Sequence, residues 1–261
     1  MALAFKGAAK RIDDIDLPKL GAQLGVGEDE IHAFLEAETR GTGFDPQGRP
    51  KILFERHKFY KYLPASKRDA AVKAGLASPS AGGYGKESAQ YGKLARAIEI
   101  DRKAALYSCS WGLAQVMGFN HRLAGYADVE QMVAAFMADE EAHLQAAVNF
   151  IKATGLDDEL RAHNWAAFAR GYNGSDYRRN RYDEKLSAAY AEWSKIRDTP
   201  WHPGAEPKPA PPSPVPRPAP PDDPVVTVPP APKAEKKASK GPLAIIVGII
   251  LAGIAAWFGL G

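Results

Sequence analysis

Residues 28–57, EDEIHAFLEAETRGTGFDPQGRPKILFERH, carry two different periodicities separated by a glycine-rich turn. In the first part, Ile31, Phe34 and Leu35 recur three and four residues apart, the spacing that forms one apolar stripe on an α-helix. The glycines that follow permit the left-handed backbone that ends a helix. The passage PKILFERH, residues 50–57, then indicates a strand. We therefore predict a helix, a turn and a small β-hairpin inserted between helices.

Helical spacing dominates the rest of the chain as far as residue 198, and this part also holds most of the aromatic residues. It is long enough to bury a core of ordinary size, so we predict one globular domain over residues 1–198. The fold class is mainly α with a minor β element. Further helices are predicted over 15–24, 67–75, 87–106, 129–153, 157–170 and 182–195.

The composition changes abruptly near Thr199. Residues 200–232 are proline-rich and lack apolar periodicity, which favours extended polyproline conformations, so we predict a linker over 199–242. Residues 243–260, LAIIVGIILAGIAAWFGL, are 18 residues without a charge and predict a separate transmembrane helix. A buried C-terminal hairpin or an oligomerisation helix is the alternative. The lysines before this segment favour a cytoplasmic position for the domain.

Charge and cysteine content exclude some classes of protein. The net charge is +3, of which the residues after Thr199 contribute +2, so the predicted domain is nearly neutral. Arginines and tyrosines alternate in residues 170–185, a pattern that also suits a nucleic-acid surface, but a binder of nucleic acid usually has a strongly basic domain. We therefore predict no nucleic-acid partner. A single cysteine, Cys109, excludes an intrachain disulfide framework.

Glu38 is the first candidate for chemistry. It follows Leu35, Phe34 and Ile31 by three, four and seven residues, so it shares their helix face, and it lies where the helix ends. Burial and the negative end of the helix dipole both raise the pKa of such a carboxyl, as a general acid requires. The alternative is a structural ion pair with a neighbouring arginine.

Glu55 is the second candidate. If residues 50–57 form a strand throughout, Glu55 shares one face with Leu53 and His57. An acidic residue in an apolar run needs a partner. Glu55 therefore either positions or deprotonates a water, or holds Arg56, His57 or a tyrosine in the fold.

Other chemistry-bearing residues have simpler interpretations. Glu140 and His143 have the spacing of one half of a carboxylate-bridged metal site, but no second copy exists, so a structural pair is favoured. Cys109 has no base placed beside it and is predicted to be buried. Trp193 and Trp111 are predicted core residues, although Trp111 beside Gly112 also suits stacking on a sugar. We predict neither a metal nor an organic cofactor.

Four passages together resemble the N-acetylmuramidase domain of phage endolysins, along nearly all of residues 25–195. They are residues 34–60, 82–94 (GGYGKESAQYGKL), 110–121 (SWGLAQVMGFNH) and 165–186. In the wider lysozyme-like superfamily, goose-type lysozymes and lytic transglycosylases have a catalytic Glu-Ser pair, then Gly-Leu-Met-Gln and Tyr-Asn motifs. The corresponding residues here are Glu38-Thr39, Gly112-Leu113-Ala114-Gln115 and Tyr172-Asn173, with mild departures at Thr39 and Ala114.

The resemblance implies a lysozyme-like domain that hydrolyses the β-1,4 bond between N-acetylmuramic acid and N-acetylglucosamine in peptidoglycan. Glu38 would protonate the glycosidic oxygen, with Glu55 as its partner or rival. Gln115 and the backbone at Gly112 would hydrogen-bond the sugars, and Tyr172 and Asn173 would line the cleft. The alternatives are a lytic transglycosylase and a non-catalytic, membrane-tethered wall-binding protein.

The predicted partners are peptidoglycan strands and, through residues 243–260, a lipid bilayer, with a monomeric catalytic domain. We expect a single-pass, tail-anchored protein of the bacterial host's inner membrane that acts on periplasmic peptidoglycan. An inward-facing domain does not touch that substrate. We therefore expect the enzyme to be stored until a pore or depolarisation admits it to the periplasm. The alternatives are an outward-facing domain, despite the lysines, and a tail that itself damages the membrane.

Overall fold

The computed structural model of the chain describes residues 5–13, 15–38, 41–202 and 204, with Glu38 and Asp176 by their backbone alone. Three strands and ten α-helices lie within these ranges, joined by three short 3₁₀ turns. The strands are β1 (Ile52–Phe54), β2 (Cys109–Trp111) and β3 (Val116–Met117). The helices are α1 (Asp16–Leu24), α2 (Glu28–Glu38), α3 (Arg56–Tyr62), α4 (Ala65–Lys73), α5 (Gln90–Tyr107), α6 (Val129–Ala138), α7 (Glu140–Thr154), α8 (Asp157–Arg161), α9 (Trp165–Asn173) and α10 (Tyr182–Trp193).

The three strands form one antiparallel sheet in the order β1-β2-β3. Ile52 lies opposite Trp111, and Ser110 lies opposite Met117. The hairpin predicted around residues 50–57 is therefore corrected. That passage supplies one strand, whose partner arrives only after α5, and the true hairpin is β2–β3. Just before β1, Phe44 and Pro50 form an isolated bridge, and the N–H groups of Asp45 and Lys51 donate to the carbonyls of Arg49 and Gly43.

The strand predicted as far as His57 ends at Phe54 instead, because a helix begins two residues later. Glu55 keeps an extended backbone, and its carbonyl accepts the first hydrogen bond of α3 from the Phe59 N–H at 3.0 Å. Glu55 is thus the junction between β1 and α3. The predicted common face of Leu53, Glu55 and His57 does not exist, since His57 belongs to the helix.

Two predicted helices are each divided in the structure by a capping residue. Asp139 adopts extended backbone angles, and its carboxylate accepts the Ala142 N–H at 2.8 Å, which ends α6 and starts α7. Asn164 caps α9 in the same way through the Ala167 N–H. Short polar side chains at these positions satisfy the first backbone donors of the next helix. In each case, one continuous stretch of helical periodicity therefore covers two separate helices.

Helix α2 is held in the core by an aromatic cluster. The ring of Phe34 meets the ring of Tyr172 edge-on at a centroid distance of 5.2 Å and that of Phe168 at 6.3 Å. Phe150 of α7 packs edge-on against the same tyrosine at 5.7 Å. Edge-to-face pairs add to the burial of apolar area. The last turn of α2 is therefore fixed relative to α7 and α9.

Within the part of the chain that the structure describes, no helix is both long enough and apolar enough to cross a membrane. The predicted transmembrane segment, residues 243–260, and nearly all of the predicted linker lie outside the described residues.

Candidate active site

A groove of about 280 Å³ opens beside the C-terminal end of α2. Leu35 and Gly41, which precede and follow Glu38 in the chain, line one side of this groove, and Leu113 lines the other. Glu38 itself is the last residue of α2. The structure therefore brings the helix end that carries the predicted acid to the turn between β2 and β3.

The turn that faces the groove, residues 112–115, is locked by the side chain of Gln115. The amide nitrogen of Gln115 donates to the carbonyls of Gly112, at 2.7 Å, and Lys51, at 3.3 Å. The amide oxygen accepts from the Ser110 hydroxyl at 2.7 Å. The side chain is buried, so its hydrogen bonds stay inside the protein. A direct bond from Gln115 to a sugar would require these contacts to be exchanged.

The Tyr-Asn pair lies at the end of α9, close to the face of α2 that leads to Glu38. Tyr172 and Asn173 are both buried, and the tyrosine ring contacts Phe34, one helical turn before Glu38. Both residues are absent from the lining of the groove, so the structure places these two predicted cleft residues behind α2.

Trp111 is fully buried, with 0% of its surface exposed. Its ring packs against Phe5 at a centroid distance of 5.8 Å, and its indole N–H donates to the Leu106 carbonyl at 3.1 Å. Such a ring offers no face to a sugar, so the core interpretation accounts for Trp111.

A different tryptophan, which sequence reasoning assigned to the core, lines the groove. Trp193 stacks on His32 at 3.7 Å with an interplanar angle of 5°, and its indole N–H donates to Glu36 at 2.9 Å. His32 and Glu36 lie four residues apart, on one face of α2. The i,i+4 spacing was visible in the sequence, but nothing there placed α10 against that face.

Glu55 is buried at the β1–α3 junction, with only 2% of its surface exposed. Its Oε2 lies 3.3 Å from Nε2 of His57, and its Oε1 has no hydrogen-bond partner within the described part of the chain. Burial raises the pKa of Glu55 to about 7, against the opposing effect of the positive charge of Lys58. Burial also lowers the pKa of His57 to about 4, and the charges of Lys58 and Lys61 act in the same direction.

Glu55 lies at the far end of β1 from the groove. The Gly112 N–H donates to the carbonyl of Lys51 at one end, and the Glu55 N–H donates to that of Ser108 at the other. Glu55 lies four steps along the extended chain from Lys51, which is about 13 Å at about 3.3 Å per step. Glu55 is also absent from the lining of the groove. The structure therefore does not bring it to the Gly112 turn.

Glu140, which lines the groove, and His143, which lies behind it, bind two of the segments that border it. The Glu140 carboxylate accepts the Gly43 N–H, and the His143 ring accepts the Leu113 N–H. No cluster of three or more metal-ligating side chains occurs among the described residues. Sequence reasoning favoured a structural pair here, but a single sequence held no signal for the two segments that the pair joins.

Comparison with known proteins identifies the family of the chain. The N-acetylmuramidase family model matches residues 28–194, from the start of α2 to just beyond α10. The crystal structure of a Burkholderia AP3 phage endolysin is 39% identical to this chain, with a TM-score of 0.68 over 72% of this chain and 73% of that one. No curated protein matches the chain.

The family match spans well over half of the chain, and the endolysin resembles it in sequence as well as in fold. The predicted mainly helical, lysozyme-like fold is confirmed, with a three-stranded sheet in place of the expected local hairpin. The chain belongs to the N-acetylmuramidase family and is a glycoside hydrolase of the lysozyme type.

Proposed function

We propose that the chain hydrolyses the β-1,4 bond between N-acetylmuramic acid and N-acetylglucosamine in peptidoglycan, with Glu38 as the general acid. The observation that carries this proposal is the groove between the end of α2 and the Gly112–Gln115 turn, lined by Leu35, Gly41 and Leu113. A carboxyl at the C-terminal end of a helix faces the negative end of the helix dipole, which favours its protonated form. A protonated carboxyl is what an acid catalyst needs at neutral pH.

In the proposed reaction the Glu38 carboxyl gives its proton to the glycosidic oxygen as the bond from that oxygen to the muramic acid C1 breaks. Water then forms the new bond to C1, and its released proton restores the acid. The backbone of the turn at Gly112 contacts the sugars, and Tyr172 supports α2 from behind through its contact with Phe34. Gln115 contributes by holding the turn through its bonds to Gly112 and Lys51.

Glu55 is proposed to act on the fold rather than on the scissile bond. A second carboxylate in a glycosidase lies within about 5 to 9.5 Å of the first, across the bond that is cut. Glu55 lies instead at the opposite end of β1 from the turn, next to His57. This favours the interpretation that it orders the β1–α3 junction.

The experiment is mass spectrometry of purified peptidoglycan digested by the full chain, beside its Glu38→Gln and Glu55→Gln variants. We expect products with reducing N-acetylmuramic acid ends, with a rate about 10²- to 10⁴-fold lower for Glu38→Gln, the range that a general acid contributes. Glu55→Gln is expected to stay within about tenfold of the parent rate, since a direct catalytic role would cost more. Anhydro ends would reassign the chain as a lytic transglycosylase. An equal loss in both variants would contradict the separate roles.

We further propose that residues 243–260 anchor the enzyme in the host inner membrane as a single pass, with residues 199–242 as its tether and a monomeric catalytic domain that reaches periplasmic peptidoglycan on lysis. Composition supports this: an uncharged apolar segment follows a proline-rich stretch and a group of lysines. Protease treatment of intact spheroplasts tests the side of the membrane. Protection of the domain until the membrane is permeabilised is expected. Digestion before that step would contradict storage on the cytoplasmic side.

A further inference from the structure

Both walls of the groove are attached to one face of α7. Glu140 and His143 are three residues apart in that helix and therefore project from the same side. Glu140 binds the loop that follows Glu38, and His143 binds the turn at Gly112. Both side chains are buried: Glu140 borders the groove with 1% of its surface exposed, and His143 lies behind the lining with 0% exposed.

Glu140 fixes the loop after the catalytic helix. Only 1% of its surface is exposed, yet both carboxylate oxygens have donors. Oε1 accepts the Gly43 N–H at 2.6 Å, and Oε2 accepts the Ile12 N–H at 3.1 Å and Nε of Arg11 at 2.8 Å. Hydrogen bonds to a buried charged acceptor are among the stronger ones in proteins. These bonds therefore fix the position of the loop at Gly43 relative to α7.

His143 fixes the opposite wall. Its Nδ1 accepts the Leu113 N–H at 3.0 Å, and its Nε2 lies 2.7 Å from the Phe136 carbonyl, to which it donates. This pattern requires the neutral ring with its proton on Nε2. Burial lowers the pKa of His143 to about 4, against the raising effects of the Phe136 carbonyl and of the charges of Glu140 and Asp139. Nδ1 is therefore available as an acceptor at neutral pH.

Two glycines allow both walls to approach the imidazole ring closely. A Cβ at Gly43 would lie 2.5 Å from Nδ1 of His143, and a Cβ at Gly112 would lie 2.7 Å from the same ring. Side-chain carbons do not approach other atoms so closely, so either substitution would force a wall to move. The backbone continues the link, since Lys51 donates to the Gly43 carbonyl and accepts from the Gly112 N–H.

We propose that Glu140 and His143 are positioning residues of the muramidase reaction. They set the distance between the end of α2, which carries Glu38, and the sugar-binding turn at Gly112. This inference rests on the proposed function and adds two residues that act through their hydrogen bonds to the two walls. A displacement of about 1 Å between a catalytic group and a bound substrate costs as much as about 10²-fold in rate. Loss of the pair therefore lowers kcat more than it weakens substrate binding.

The test compares kcat and KM of the full chain and three variants on purified peptidoglycan, measured as released reducing ends. His143→Phe keeps a ring but loses both hydrogen bonds, and Glu140→Gln keeps the volume but loses the charge. We expect each to lower kcat about 10- to 100-fold, with KM within about threefold. Glu141→Gln makes the same chemical change one residue away, on a side chain that pairs with Lys19, and is expected to leave both constants unchanged.

A conservative replacement separates positioning from simple packing. The carboxamide of His143→Gln can accept the Leu113 N–H and donate to the Phe136 carbonyl, so we expect it to recover at least a few-fold of the kcat lost in His143→Phe. A folded His143→Phe with kcat within twofold of the parent would overturn the proposal. So would a His143→Gln no better than His143→Phe.

If His143→Phe does not fold, Gly43→Ala tests the same link from the loop. Its methyl group would collide with the ring, and a kcat reduced about tenfold or more at nearly constant KM supports the proposal, whereas an unchanged kcat overturns it. Absence of reducing ends from the parent chain itself would refute the proposed function instead, so the two failures are distinguishable.

Discussion

Two pairs of glutamate and histidine in the described part of the chain, Glu140 with His143 and Glu55 with His57, differ in how their polar atoms are satisfied. At Glu140 and His143, every carboxylate oxygen and ring nitrogen has a hydrogen-bond partner. At Glu55 and His57, one carboxylate oxygen and one ring nitrogen are buried without a partner among the described residues. The two glutamates are nevertheless almost equally buried.

The number of hydrogen-bond donors decides how far a buried carboxylate stabilises or destabilises the fold. A buried carboxylate with two or three donors is stabilised in its charged form, whereas one with few donors bears the full cost of desolvation. The raised pKa of Glu55 has that physical cause. We therefore expect the stability of the fold to depend more on the first pair than on the second.

The largest expected effect follows from removing the satisfied carboxylate. Glu140→Ala leaves the Gly43 and Ile12 N–H groups without their acceptor, and we expect the free energy of unfolding to fall by about 3–5 kcal/mol. The Arg11 contact adds little to this, because 56% of that side chain is exposed. Urea unfolding at pH 7 measures the change. Glu141→Ala is the control, with an expected change within about 0.5 kcal/mol, and a loss below about 1 kcal/mol for Glu140→Ala would contradict the comparison.

The sequence predicted the helices well where one apolar stripe matched one rigid element. Helix α2 begins and ends where its periodicity does, at residues 28 and 38. Periodicity did not predict the break at Asp139, because the apolar spacing continues across a residue whose backbone is extended. It also missed α3, since residues 50–57 alternate like a strand while only 52–54 find a partner. Strand partners distant in sequence are not visible in a local pattern.

In the candidate site, too, some features could be predicted from the sequence and others could not. Glu38 and the 112–115 turn were predicted to lie together because a motif resemblance carries spatial information, and their segments do flank one groove. The polar contacts inside the site were not predictable. The amide of Gln115 is used within the protein, and the link from α7 to Gly43 joins residues 97 positions apart in the chain. Such contacts depend on tertiary packing that no spacing encodes.

The second effect is a dependence on pH that follows from Glu55. Its pKa rises from an ordinary value of 4.5 to about 7 on folding, so the folded chain keeps a proton that the unfolded chain has lost. The resulting stabilisation is full below pH 4.5 and is lost as the pH rises through 7. Because glutamine does not titrate, Glu55→Gln does not lose this stabilisation as the pH rises. We therefore expect its stability relative to the parent to increase by roughly 1–3 kcal/mol between pH 5 and pH 8.

Urea unfolding of the parent and Glu55→Gln at intervals between pH 5 and 8 measures this difference directly. The same series on Glu141→Gln, a glutamate that pairs with Lys19 near the surface, is the control and should show no such trend. A difference between Glu55→Gln and the parent that stays constant across this range, or that falls, would mean that Glu55 is stabilised as a carboxylate in the fold.

The smallest expected effect concerns the two histidines. His57→Phe removes a ring nitrogen, Nδ1, that is buried without a partner, and loses only the 3.3 Å contact with Glu55, so we expect a change within about 1 kcal/mol at pH 7. The lowered pKa of His57 means that the parent loses stability as the pH falls from 6.5 towards 4, because the unfolded chain takes up a proton first. We therefore expect the free energy of unfolding of His57→Phe, relative to that of the parent, to be higher at pH 5 than at pH 7. A cost above about 2 kcal/mol at pH 7 would show instead that the second pair also supports the fold, and the contrast with Glu140 and His143 would then fail.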